Sequence, residues 1–177
     1  SGSIENSTAS MDIDGENRIG GLVGGNDGSI QNSDATGGLS GSERVGGLAG
    51  SSSGTVENSE ADVSIEFGER TGGLVGFNEG SITGSQASGS LSSGPRSGGL
   101  VGQNSGNIQD SEASGTITGD AFANELGGLV GRNSGSITES QATGNVLSES
   151  GLQGDDKGGL VGVNVGDIQH SVATGDG

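Results

Sequence analysis

Residues 72–89 read "GGLVGFNEGSITGSQASG", and the same string returns along the whole chain with small changes. Gly-Gly-Leu triplets begin at Gly20, Gly46, Gly72, Gly98, Gly127 and Gly158, so the steps are 26, 26, 26, 29 and 31 residues. A second pattern, apolar-x-x-Ser-x-Ala, begins at Ile4, Ile30, Val56, Ile82, Ile108, Ile137 and Ile168 and keeps the same spacing. Two patterns locked to one period identify a repeat architecture.

The residues between these landmarks decide the kind of repeat. Two or three glycines in every candidate segment disfavour helix. After the Ser the chain alternates, as in "SEADVSI" and "SQASGSL", and a period of two is that of a strand. On that reading Ser7, Ala9, Met11 and Ile13 share an inward face, and Asp12 lies on the outward one. Each repeat then offers about three short strands and forms one turn of a solenoid, with equivalent strands stacked in parallel about 4.8 Å apart. The fold class is all-β: a right-handed parallel β-helix, because parallel crossovers are right-handed. It has about 26 residues per coil, roughly 6.5 coils and a single domain over residues 1–177.

Composition agrees with narrow coils. Of 177 residues 41 are Gly and three are Phe, with no Trp, Tyr or Cys. A compact core of large side chains cannot be filled from this set. Low hydrophobicity and high charge also describe disordered chains, but a disordered tract has no need of fixed apolar columns. The sequence places Leu22, Leu48, Leu74, Leu100, Leu129 and Leu160 in one buried column, and the Ile4-to-Ile168 series in another. Asn26, Asn78, Asn104, Asn133 and Asn164 form a third column, broken by Ser52, where stacked amides bond along the rod at a left-handed corner. The series Ser7, Ser33, Ser59, Ser85, Ser111, Ser140 and Ser171 reads as an inward hydroxyl ladder bonded to backbone.

The string Gly21-Leu22-Val23-Gly24, repeated from Gly47, Gly73, Gly99, Gly128 and Gly159, resembles the GLUG motif over the whole chain. Ala49 is the one departure at the Val position. The resemblance implies a structural or adhesive segment of a secreted or cell-surface microbial protein. It supplies no catalytic residues.

Formal net charge is −17, from 23 acidic and 6 basic residues. Nucleic-acid binding needs clustered cations and is excluded. Direct membrane insertion is excluded too, since no apolar run approaches a span. An acidic surface with Lys157 as the one lysine suits high-salt surroundings. His170, the one histidine, occupies a variable column with Asn6, Asn32, Asn58, Gly84, Asp110 and Glu139. No Ser-His-Asp set, thiol nucleophile, metal-binding helix or phosphate loop can be assembled from these residues, so no catalytic residue is assigned.

Three features carry weaker chemistry. Asp12, Asp14 and Glu16 in "DIDGEN" supply oxygen ligands in a turn and resemble half of a calcium loop, making calcium the one candidate cofactor. Phe77 and Phe122 are candidate partner contacts. Arg18, Arg44, Arg70 and Arg96 stand at 26-residue steps beside Glu16, Glu43 and Glu69, which reads as a mixed-charge turn. The lone sequon "NST" at Asn6 matters for a secreted chain.

The sequence therefore describes an extracellular β-solenoid serving as stalk, adhesin or filament subunit. Its expected partners are flanking repeats or other copies stacked end to end, and surface glycans. Seven Ser-Ile strands against six Gly-Gly-Leu strands leave half a repeat open to such stacking. A carbohydrate-active enzyme remains an alternative, as does an ice-binding module with its column at Ser10, Thr36, Asp62, Ser88, Ser114, Thr143 and Thr174, hydroxylated at six of seven places. The longer loops "TGDAFANEL" and "LSESGLQGDDK" are expected at one corner of the rod.

Overall fold

The computed structural model describes residues 2–120, 122–148 and 156–175. Every described element is a strand, and every pairing is parallel. The strands form four sheets of 7, 11, 6 and 6 strands, each sheet one face of a rod wound from about six turns. In the second turn the faces are Ser29–Gln31, Asp34–Ser40, Arg44–Gly46 and Ala49–Ser52. Register follows the repeat: Ile30 pairs with Val56, Val56 with Ile82 and Ile82 with Ile108. The coil is a β-solenoid, with one more strand per turn than the sequence offered. Gly-Gly-Leu is not one strand: its first glycine ends the third-face strand, and the second glycine and the leucine fold the chain toward the fourth face.

That fold divides the interior. One core holds the Leu column, the Ile column, the Ala column and the Val of the fourth face, among them Ile30, Leu48, Val75 and Ala87. The other lies between the second and third faces and holds Ile19, Leu39, Val45, Ile65, Leu91, Ile117 and Leu126. Between them the second glycine of each triplet meets an alanine across the rod. A Cβ added to Gly47 would lie 2.7 Å from Ala61 Cβ, and one on Gly73 would lie 2.9 Å from Ala87 Cβ. Backbone and methyl leave no space there for a larger side chain. The sequence reading of one narrow apolar interior is corrected to two cores separated by a glycine–alanine waist. Each fully buried Leu or Ile contributes about 1.5–3 kcal/mol by leaving water.

The Leu column is buried through its middle at Leu48, Leu74, Leu100 and Leu129, while Leu22 and Leu160 in the outer coils are half-buried. Met11 departs from its expected inward position and is 54% exposed. In this outer coil the strand breaks after Ser10 and resumes at Ile13. Val63, two turns along in the same column, lies inside an unbroken strand and is buried.

Two side-chain ladders run along the rod. Asn78 Nδ2 donates to Asn104 Oδ1, Asn104 to Asn133 and Asn133 to Asn164, each at 2.8 Å. Asn26 Nδ2 donates to Ser52 Oγ at 3.1 Å, so the hydroxyl continues the series. In the second ladder Ser33 N–H donates to Ser59 Oγ at 3.1 Å, and that hydroxyl donates to the Glu57 carbonyl at 2.8 Å. The buried hydroxyls and amides of these two ladders are thus bonded, as burial demands, whereas the buried Thr71 hydroxyl of the second core has no partner among the described residues.

The left-handed corner is not at the amide column. Asn6, Asn32, Asn58, Asp110, Glu139 and His170 have φ between 48° and 51°, and Gly84 has φ of 59°. These residues turn the chain from the first face to the second. Asn26, Asn78, Asn104 and Asn133 instead close strands of the fourth face and are buried, while Asn164 closes the last one and is exposed. The variable column containing His170 is therefore the turn itself, and short polar residues predominate there because they tolerate this conformation.

Candidate functional site

The inward positions are committed to the stack, so chemistry is confined to the outward columns and the corners. At the third face the mixed-charge turn forms a continuous ladder. Arg70 reaches Glu43 at 3.1 Å and Glu69 at 3.4 Å, and Arg96 reaches Glu69 at 3.0 Å and Glu125 at 3.4 Å. Arg132 closes it on Glu125 at 3.1 Å. Alternating signs remove the repulsion that stacked arginines would create. Exposed pairs contribute little singly, and a half-buried network contributes more.

Phe77 lies on the fourth face, half-buried, with the Arg44 guanidinium 5.2 Å from its ring centre. Such stacking is worth about 0.5–1 kcal/mol. Its ring is thus engaged within the rod. Phe122 stands in the longer loop after Thr116–Gly119 and is 78% exposed, its N–H donating to Asp120 Oδ1 at 2.8 Å. It does not fold back as a lid. Ala123 does, being buried against the second core beside Leu126. Residues 149–155 of the other long loop lie outside the described residues, as does Ala121.

Asp12, Asp14 and Glu16 are all exposed. Asp12 Oδ1 accepts the Gly38 N–H at 2.8 Å. Asp12 and Asp14 line a shallow depression of about 300 Å³ on the second face with Ser40, Ser64 and Glu66, and Glu16 does not join them. Among the described residues no group of three or more His, Asp or Glu is placed to hold a metal ion. His170 lines a polar hollow at the left-handed corner with Asp110, Glu112 and Glu139.

Phe67 is the functional candidate that sequence reasoning missed. It follows Glu66 at the corner between the second and third faces and is 63% exposed. Its column in other turns holds Gly41, Ser93, Gly119 and Ser148. A Cβ on Gly41 would lie 2.8 Å from Val45 Cγ2, and one on Gly119 would lie 2.5 Å from Leu126 Cδ1. The interior cannot take a ring, and Phe67 adopts φ of 67°. For a bulky residue that conformation costs on the order of 1–2 kcal/mol. The available signal was a phenylalanine in a column of glycine and serine.

The family model for the GLUG motif matches residues 15–40, 67–92, 93–118 and 123–147, more than half of the chain. Each matched unit is one turn of the rod, running from the corner after the second face to the end of that face one turn later. No curated protein and no solved structure matches the chain.

Proposed function

The chain belongs to the GLUG-motif family, and from that premise we propose that it serves as a structural and adhesive segment of a secreted or cell-surface protein. One observation carries this reading: the residues that the repeats hold constant are spent on the stack. The second glycine of each triplet packs on an alanine, the serines bond backbone and the asparagines bond one another. Most of what varies from turn to turn points outward or lies at corners, the buried column Val45, Thr71, Ser97 and Leu126 excepted. A rod whose constant part is internal is a scaffold that presents a changeable surface.

The acidic surface supports solvation and suits salt-rich surroundings outside the cell. Flanking repeats or further copies would extend the rod end to end through parallel pairing. In this reading the segment is not an enzyme, needs no cofactor to hold its shape and works by position and contact.

The test is made on intact cells that produce the full-length protein. Added protease should release fragments containing this segment, and an antibody against it should label the unbroken surface. Labelling only after permeabilisation would end the proposal.

A further inference from the structure

We infer that the corner between the second and third faces, together with the second face beside it, binds a neutral, extended hexose oligosaccharide. The inference rests on the adhesive part of the proposed function and names its partner class. Its starting point is the paired exposure of Phe67 and Phe122, two of the three aromatic rings in the chain. Phe67 holds an unfavourable backbone conformation in a column that holds only glycine and serine in the other described turns. An exposed apolar ring kept at such a cost is best explained by a contact made outside the fold.

The floor beside these rings names the ligand. A shallow groove of about 360 Å³ on the second face is lined by Ser64, Glu66, Ser90, Ser92 and Thr118. It continues through Ser64 and Glu66 into the depression at Ser40 and Asp12. Phe67 stands at its rim, one residue beyond Glu66, with its N–H donating to the Ser92 carbonyl at 2.8 Å. Phe122 lies in the loop that follows the Thr116–Gly119 strand, four residues after Thr118 of the groove. Glu66, Ser92 and Thr118 are in register on successive coils, so the strands that lead to the two rings are two coils apart, about 9.6 Å along the axis. That is close to the repeat of a disaccharide in an extended chain.

Rings beside a floor of hydroxyls suit a sugar. Its C–H face stacks on an aromatic ring, and its hydroxyl edge exchanges hydrogen bonds with serine, threonine and carboxylate oxygens. A polyanion is opposed by the net charge of −17. A polycation would find Glu66 here and Asp12 and Asp14 in the adjoining depression, but no carboxylate on the Ser90, Ser92 and Thr118 half of the floor between the rings. An apolar peptide would have to bury these hydroxyls without partners.

The three phenylalanines make the test direct. The chain is produced with 4-fluorophenylalanine, and its fluorine resonances are assigned from the F67G, F77L and F122A variants. Hexamers of β-1,4-linked glucose, β-1,3-linked glucose and β-1,4-linked mannose are titrated in, with a hexameric polyuronate as the charged comparison. At least one neutral hexamer should shift the Phe67 and Phe122 resonances saturably and leave Phe77 in place. Phe67→Gly and Phe122→Ala should each weaken that binding about tenfold or more. Phe67→Gly suits the left-handed backbone, so its melting temperature should hold or rise and misfolding would not explain the loss.

The inference is overturned if no neutral hexamer moves these resonances, if the polyuronate binds as well, or if binding survives both substitutions. A negative titration on a rod that is displayed on cells would remove this partner and leave the proposed function standing. Binding by a protein confined to the cytosol would remove the proposed function instead.

Discussion

Gly47 and Ala61 meet across the middle of the rod, where a methyl group on the glycine would lie 2.7 Å from the alanine Cβ. The contact keeps two apolar cores apart, and it recurs between Gly73 and Ala87 and between Gly99 and Ala113.

The waist yields the sharpest expectation. Gly47→Ala should destabilise the rod by about 3 kcal/mol, because the added atom also meets the Gly73 carbonyl, which stacking holds in place. Gly25→Ala should change stability by no more than about 0.5 kcal/mol, since its nearest neighbour would be Ser51 Oγ at 3.7 Å. Thermal unfolding of both variants measures the contrast; equal melting temperatures would mean the waist is not tight.

The amide ladder can be both broken and completed. Asn104→Ala strands the donors and acceptors of Asn78, Asn133 and Gly106 and should cost about 2–3 kcal/mol. Ser52→Asn should insert the missing amide between Asn26 and Asn78 and stabilise by about 0.5–1 kcal/mol. Chemical denaturation of the two variants reads both effects, and a destabilised Ser52→Asn protein would show that this coil has no room for the amide.

Salt should act in opposite directions on two parts of the surface. Arg70→Met removes bonds to Glu43, Glu69 and Gln103 and should cost about 1 kcal/mol at low salt, shrinking in about 1 M NaCl. The intact rod should gain stability over the same range, because acids such as Asp34 and Glu60 stand in register on neighbouring strands. Melting curves across the salt series test both, and a salt-independent wild type would contradict the second.

Neighbours in the first long loop should differ sharply. Phe122→Ala should leave stability within about 0.5 kcal/mol, as for other exposed side chains. Ala123→Asp puts a charge against Leu126 and Gly119 in the second core and should cost about 3 kcal/mol or more. Equal effects would displace Ala123 from the core.

Much of this was legible in the sequence because a period of 26 residues constrains every column at once. The Leu and Ile columns, the serine and asparagine ladders and the alternating Arg–Glu turn all follow from spacing and side-chain chemistry. The two-core section did not, because Gly-Gly-Leu reads equally well as a strand or as a fold. The sign of φ at Asn32 against Asn26 was hidden for a similar reason: asparagine suits a left-handed corner and an amide stack alike. Phe67 escaped notice because its exposure depends on a corner that Gly41 and Ser93 fill with small residues in the neighbouring turns. The sequence named Asp12, Asp14 and Glu16 as ligands from their order along the chain, and the structure brings the first two to one depression without the third.

The backbone bonds from Ser33 O to Glu60 N and from Ser59 O to Gln86 N join each turn to the next, so they lie along the rod's long axis. Tension applied along that axis pulls on them in line, and the outermost turn carries the load before its neighbours do. Turns then peel away in succession, each releasing about 26 residues, or roughly 90 Å of slack. A rod built this way yields in steps under a pull and lengthens many times over before the tether parts.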